Sequence, residues 1–128
     1  MKNVDAGADT LIDLRDRLRA FADERDWAQF HTPKNLAMAL VGEAAEVVEH
    51  FQWLTPEASA ALPETTRVEV SHELADVLLY LVRLADRLDI DLGEAALEKL
   101  AINARKYPAE QAYGRADKYT RLEGGKNE

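Results

Sequence analysis

The chain has no cysteine, which excludes a disulfide framework, a thiolate metal site and a cysteine nucleophile. It also lacks any uninterrupted apolar stretch of membrane-spanning length, and residues 1–10 carry no apolar run of the signal-peptide kind. A soluble, cytoplasmic protein with no membrane partner is therefore expected. There is no excess of basic charge: the formal net charge is -8, so the counterion replacement that drives nucleic-acid binding has no broad footprint. No strand-like alternation, internal repeat or low-complexity tract stands out. At 128 residues the chain suits one domain, with a helical core over about residues 10–107 and a C-terminal segment over 108–128.

What is present is helical periodicity. Apolar residues recur three and four apart in four segments, with breakers between them, which predicts an all-α protein. The first helix carries Leu11, Leu14, Leu18 and Phe21 and is expected to end near Trp27 to His31. Thr32-Pro33 has the form of an N-cap followed by proline at the first helical position, opening a second helix to about Leu54. Thr55-Pro56 and Pro63 punctuate a connector with room for a short helical turn. Thr66 and Glu69 have capping-box spacing and predict the start of a third helix running to about Leu88. Asp91 and Glu94 repeat that signal for a fourth, closed by Pro108.

Charge is unevenly placed: residues 40–80 hold eight acids and one base, whereas residues 99–121 hold six bases and two acids. On a wheel of roughly 100° per residue, the second helix gathers Leu36, Leu40, Ala44, Val47, Val48, Phe51 and Leu54 on one arc. Glu43 lies at the margin of that arc and Glu46 about 60° further round. The third helix gathers Val70, Leu74, Val77, Leu78, Leu81, Ala85 and Leu88, with Glu73, Tyr80 and then Asp76 just outside one edge. An acid pair three apart is commonplace on a solvated helix. Two such pairs on consecutive helices, both bordering the apolar arc and neither with Lys or Arg at salt-bridge spacing, call for a compensating cation. All-oxygen donors suit Mg²⁺, with Mn²⁺ as a substitute, better than zinc or copper.

Glu43-Ala44-Ala45-Glu46, then 26 residues, then Glu73-Leu74-Ala75-Asp76 resembles the ExxE and ExxD pairs of the MazG-like all-alpha nucleoside triphosphate pyrophosphohydrolases. The likeness extends through Glu24-Arg25-Asp26-Trp27, Gln29-Phe30-His31, Phe51-Gln52-Trp53, Ile102-Asn103, Tyr107-Pro108 and Lys118-Tyr119-Thr120, in the order of the family's dCTP pyrophosphatase branch. It implies an oligomeric four-helix bundle, dimer or tetramer, that hydrolyses a nucleoside triphosphate by attack at the alpha phosphate, giving monophosphate and pyrophosphate. It also implies that Glu43, Glu46, Glu73 and Asp76 are the catalytic magnesium ligands. Trp27, Trp53 and Tyr80 match positions that wall the base, although each equally suits core or interface packing. Lys99 and Asn103 match a KxxxN element directed at phosphate or sugar oxygens. Lys106 and Lys118, with Arg105 and Arg115, add positive charge for the triphosphate tail, and each also suits an exposed surface. His31, just before a cap, reads as structural. Leu18 departs from the histidine of vertebrate members, which leaves the base open between dCTP, a modified pyrimidine nucleotide and a broad range of triphosphates. Two other classes compete. Glu69-Val70-Ser71-His72 has the ExxH spacing of di-iron bundles but no second copy, and a non-enzymatic helical interaction module would use the apolar third helix.

Overall fold

The computed structural model describes residues 10–122. The described residues are helical and contain no strand. The described residues fall into two compact units, divided between Ile90 and Asp91. The first contains α1 (Thr10–Glu24), α2 (Pro33–Glu49), the single turn α3 (Pro56–Ser59) and the long α4 (Glu64–Arg87). The second contains α5 (Leu92–Lys106), the short α6 (Ala109–Ala112) and a 3₁₀ turn at Tyr119–Arg121. No helix among the described residues is long and apolar enough to cross a membrane.

The helix starts follow local chemistry. Thr32 Oγ1 accepts from the Asn35 N–H at 3.2 Å, Pro33 occupies the first turn, and Asn35 Nδ2 donates to the Phe30 carbonyl at 3.0 Å. Thr55 caps α3 and Asp91 caps α5 in the same way, through bonds of 3.1 Å and 2.9 Å. α4 differs from expectation. It opens two residues before Thr66, with Pro63 at the cap position and no side-chain cap bond, so the Thr66–Glu69 spacing falls inside the helix.

Two helix ends also differ. α1 stops at Glu24 because Asp26 enters the left-handed region at φ 53°, and the Trp27 N–H then reaches back to the Ala22 carbonyl at 2.9 Å. Glycine is the usual residue there, and an aspartate serves the same end less conspicuously. α2 ends at Glu49 rather than near Leu54, and tight turns through residues 50–54 replace the helix. Phe51 and Leu54 therefore leave the arc on which periodicity places them, and Trp53 is not on a helix.

In the first unit α2 packs along α4, and α1 packs on α4 as well. The stripe of α2 turned inward is Leu36, Leu40, Glu43 and Val47, and that of α4 is Val70, Glu73, Val77 and Tyr80. Leu36, Val70, Val82 and Ala85 are buried. Glu43 and Glu73 thus sit within the seam rather than at its margin, while Leu74, Leu78 and Leu81 of the expected apolar arc are exposed.

Candidate metal and nucleotide site

α2 and α4 position the four carboxylates. Glu43 and Glu73 are half-buried in the seam, and Glu46 and Asp76 lie one turn along at its exposed edge. Glu43 Oε2 and Glu73 Oε2 are each sealed from solvent without a hydrogen-bond partner. His50 Nε2 comes within 2.6 Å of Glu73 Oε2, a close approach that does not have hydrogen-bond geometry. Burial, then the neighbouring acids Glu46, Asp76 and Glu73, push the Glu43 carboxyl above its usual range. Among the described residues, none of the four forms an ion pair with Lys or Arg.

Such a group fits a hard divalent cation, whose charge would satisfy the orphaned Glu43 oxygen and offset the crowded acids. Among the described residues no three Asp, Glu, His or Cys side chains close into a ready-made cage. Magnesium usually takes one or two carboxylates and completes its shell with water and substrate phosphate. Glu69 and His72, the di-iron alternative, are both exposed.

Beside the carboxylates lies a cavity of about 360 Å³. α1 contributes Leu14, Leu18 and Phe21, the connector contributes Trp27 and His31, and α4 contributes Asp76, Tyr80 and Arg83. Trp27 stands edge-on to Phe21, with ring centroids 5.6 Å apart, and to His31 at 6.2 Å. The volume and apolar-aromatic walls are those of a small-molecule site. Asp76 borders both the cavity and the acid group. Trp27 and Tyr80 therefore line this space, but Trp53 does not: it lies in the turn after α2 and is 88% exposed. Lys99, Asn103 and Lys106 are on exposed positions of α5 in the second unit, with Lys118 just before its 3₁₀ turn. Lys106 Nζ there lies 5.0 Å over the Tyr119 ring.

One cluster was not singled out by periodicity. Arg83 is only 4% exposed, and its Nε donates to His31 Nδ1 at 3.1 Å while Nη1 donates to Asp86 Oδ2 at 3.3 Å. Arg19 on α1 clamps Asp86 from the other side with bonds of 3.1 Å and 2.6 Å, and Arg87 Nε holds the His31 carbonyl at 3.1 Å. The available signal was Arg83 lying three and seven residues after Tyr80 and Asp76, on their helical face. Burial, then Arg83 and Arg87, hold the His31 imidazole below its ordinary value. A depressed folded value means that the unfolded chain takes up the proton first. Stability is then intact above about pH 6.5 and is lost as pH falls through the folded value. Denaturation midpoints between pH 7.5 and 5 should fall more steeply in the wild type than in His31→Gln, which still accepts from Arg83.

A helical protein with paired carboxylates on two packed helices and an aromatic-walled cavity at their edge has the makings of a metal-dependent nucleotide-binding protein. The chain belongs to the MazG-like family, whose profile matches residues 39–122. It is 49% identical over 119 residues to dCTP pyrophosphatase 1 of Homo sapiens, covering 91% of this chain and 69% of that protein. To dCTP pyrophosphatase 1 of Mus musculus it is 47% identical over 118 residues, again covering 91% and 69%. A crystal structure of a pyrophosphatase from Archaeoglobus fulgidus DSM 4304 superposes with a TM-score of 0.74 at 40% identity, covering 83% of this chain and 99% of that one.

Proposed function

We propose that this protein hydrolyses a pyrimidine deoxynucleoside triphosphate, dCTP or a modified relative, to the monophosphate and pyrophosphate. The observation that carries this reading is Asp76, which borders both the aromatic cavity and the acid group, so a base in the cavity places its phosphates toward the carboxylates. Glu43, Glu46, Glu73 and Asp76 would hold Mg²⁺. When bound, the ion offsets phosphate charge and makes water a stronger nucleophile. A carboxylate oxygen left free of coordination accepts the water's proton. Trp27 and Tyr80 hold the base and keep water from it, and Lys99, Asn103, Lys106 and Lys118 serve phosphate and sugar. Trp53, exposed in the single chain, joins the site in the assembled form.

The working unit is a cytoplasmic homo-oligomer, dimer or tetramer, built on a four-helix bundle with the whole chain as one MazG-like domain. Val68, Leu79 and Val82 extend the apolar character of α4 beyond a single arc, but Val82 is buried and Leu79 lines the cavity, so the apolar surface that supports assembly comes from Val68, Leu74 and Leu78 of α4 and Met38, Val41 and Val48 of α2. Val41 is 69% exposed. Apolar positions this open on two neighbouring helices are the mark of an interaction surface. Light scattering should show a dimer or larger at micromolar concentration, and a stable monomer would overturn this part of the reading.

The reaction is checked by resolving products with phosphorus NMR in the presence of magnesium. Pyrophosphate should appear with the monophosphate from the first time point, and orthophosphate as first product would sink the assignment. Magnesium should also raise the unfolding midpoint of the wild type, since it binds the folded acid group in preference to the dispersed acids of the unfolded chain. A non-enzymatic helical module predicts no such shift. Leu18 on the cavity wall favours a second reading, a broader range of bases, because an aliphatic side chain makes no polar contact with a base edge.

A further inference from the structure

Glu73 differs from Glu43 in what faces its sealed oxygen. Glu43 Oε2 meets no donor, whereas Glu73 Oε2 lies 2.6 Å from His50 Nε2. His50 follows the last residue of α2 and keeps a helical backbone, at φ -73° and ψ -20°, with its N–H returned to the Val47 carbonyl at 3.2 Å. It stands three residues after Val47 and seven after Glu43, so it extends the inward stripe of α2 by one turn. Glu46 is one helical turn before it on α2, yet the imidazole meets Glu73 across the seam instead. The two side chains are only 19% and 23% exposed.

We propose that His50 is a positioning residue, whose Nε2–H holds the inner oxygen of Glu73 and so presents the outer one to a divalent cation. The proposal rests on Glu73 being a metal ligand, as inferred above. A carboxylate that gives one oxygen to a cation has another to satisfy, and where that oxygen is sealed from water only a protein donor can do so. At 2.6 Å the contact is at the short end for N–H···O, and only a proton between the two atoms makes it favourable. The ring directs its N–H off that line, and the broad χ2 preference of histidine lets it turn onto it. Nε2–H donates whether or not Nδ1 also carries a proton, so the role does not depend on the charge of the ring. A donor of this kind orients the carboxylate without standing in for the cation, as the fixed charge of a lysine or arginine would.

The test measures binding of Mn²⁺ alone to the full chain, from the EPR signal of the free ion, with Mg²⁺ as competitor. His50→Leu removes the donor and should raise the dissociation constant by about ten- to a hundredfold, the usual cost of losing the partner of a metal ligand. His50→Gln places an amide N–H where Nε2 stands and should recover most of that affinity, whereas His50→Asn reaches only as far as Nδ1 and should not. In the Glu73→Gln background His50→Leu should have no further effect, because His50 acts through that carboxylate. An unchanged dissociation constant in His50→Leu would overturn the proposal. So would equal losses in His50→Leu and His50→Gln, which would reduce the imidazole to packing. If His50→Leu fails to fold, equal affinity in His50→Gln and His50→Asn overturns the proposal in its place. Failure confined to the His50 variants removes this inference alone, whereas a Glu73→Gln protein that binds Mn²⁺ as the wild type does removes the parent reading with it.

Discussion

Glu43→Gln and Glu73→Gln should each lower triphosphate hydrolysis by at least about a hundredfold, since even partners outside a metal's own ligand shell cost ten- to a hundredfold when removed. The same substitutions should leave the metal-free protein as stable as the wild type, or more so. Both side chains sit in the α2–α4 seam with one oxygen sealed and without a hydrogen bond, and the Glu43 carboxyl is pushed toward its neutral form by burial and by three neighbouring acids. An amide keeps the shape and replaces a charge with a donor that Glu46 or Asp76 can accept. Repulsion falls and desolvation eases, so folding gains what metal binding loses. The measurement pairs activity with magnesium against urea denaturation in a chelator. Full activity in both variants would remove these acids from the site. Lost activity with reduced metal-free stability would make them structural instead.

Asp86→Ala should have the largest effect on folding, a loss of about 3–5 kcal/mol, the usual cost of stranding a buried charge by removing its partner. Asp86 is the acceptor for both Arg19 and Arg83, and its side chain is 11% exposed beside an Arg83 side chain at 5%. Burial opposes the Arg83 charge more than any other influence, but a guanidinium remains protonated and must be paired. Adding Arg83→Met should recover a substantial part of the loss, because the stranded charge goes with it, and a double-mutant cycle by urea denaturation reads that coupling. Additive losses would show that the two side chains act independently. The pH dependence has a definite sign. The hydrogen bond from Arg19, foremost among the causes, holds the Asp86 carboxyl below its ordinary value. Its contribution is therefore complete above about pH 4 and is lost as pH falls through the lower folded value. The acid limb of the wild-type stability curve should be shallower in Asp86→Asn.

The sequence by itself determined the helical class, the starts at Thr32-Pro33 and Asp91, and the two acid pairs, because each is a matter of spacing within one helix turn. Caps are closed by atoms three residues apart, and periodicity in a single segment places Glu43 near Glu46 and Glu73 near Asp76 whatever the rest of the chain does. The family likeness across Glu43 to Asp76 was legible for the same reason. Other features waited on tertiary structure. The left-handed turn at Asp26 ended α1 early, and the end of α2 at Glu49 left Trp53 in an exposed turn, since a helix end is decided by the contacts the next segment makes as well as by local preference. A wheel places Glu43 and Glu73 at the edge of an apolar arc, but only the packing of α2 on α4 sets which edge becomes the seam and seals their oxygens. Arg83 and Asp86 are three apart on α4, but His31 comes from the connector before α2 and Arg19 from α1, and no periodic pattern relates these to that pair. Long-range hydrogen bonds depend on which faces meet, and that is settled by packing, where the burial of one charge obliges another element to supply its partner.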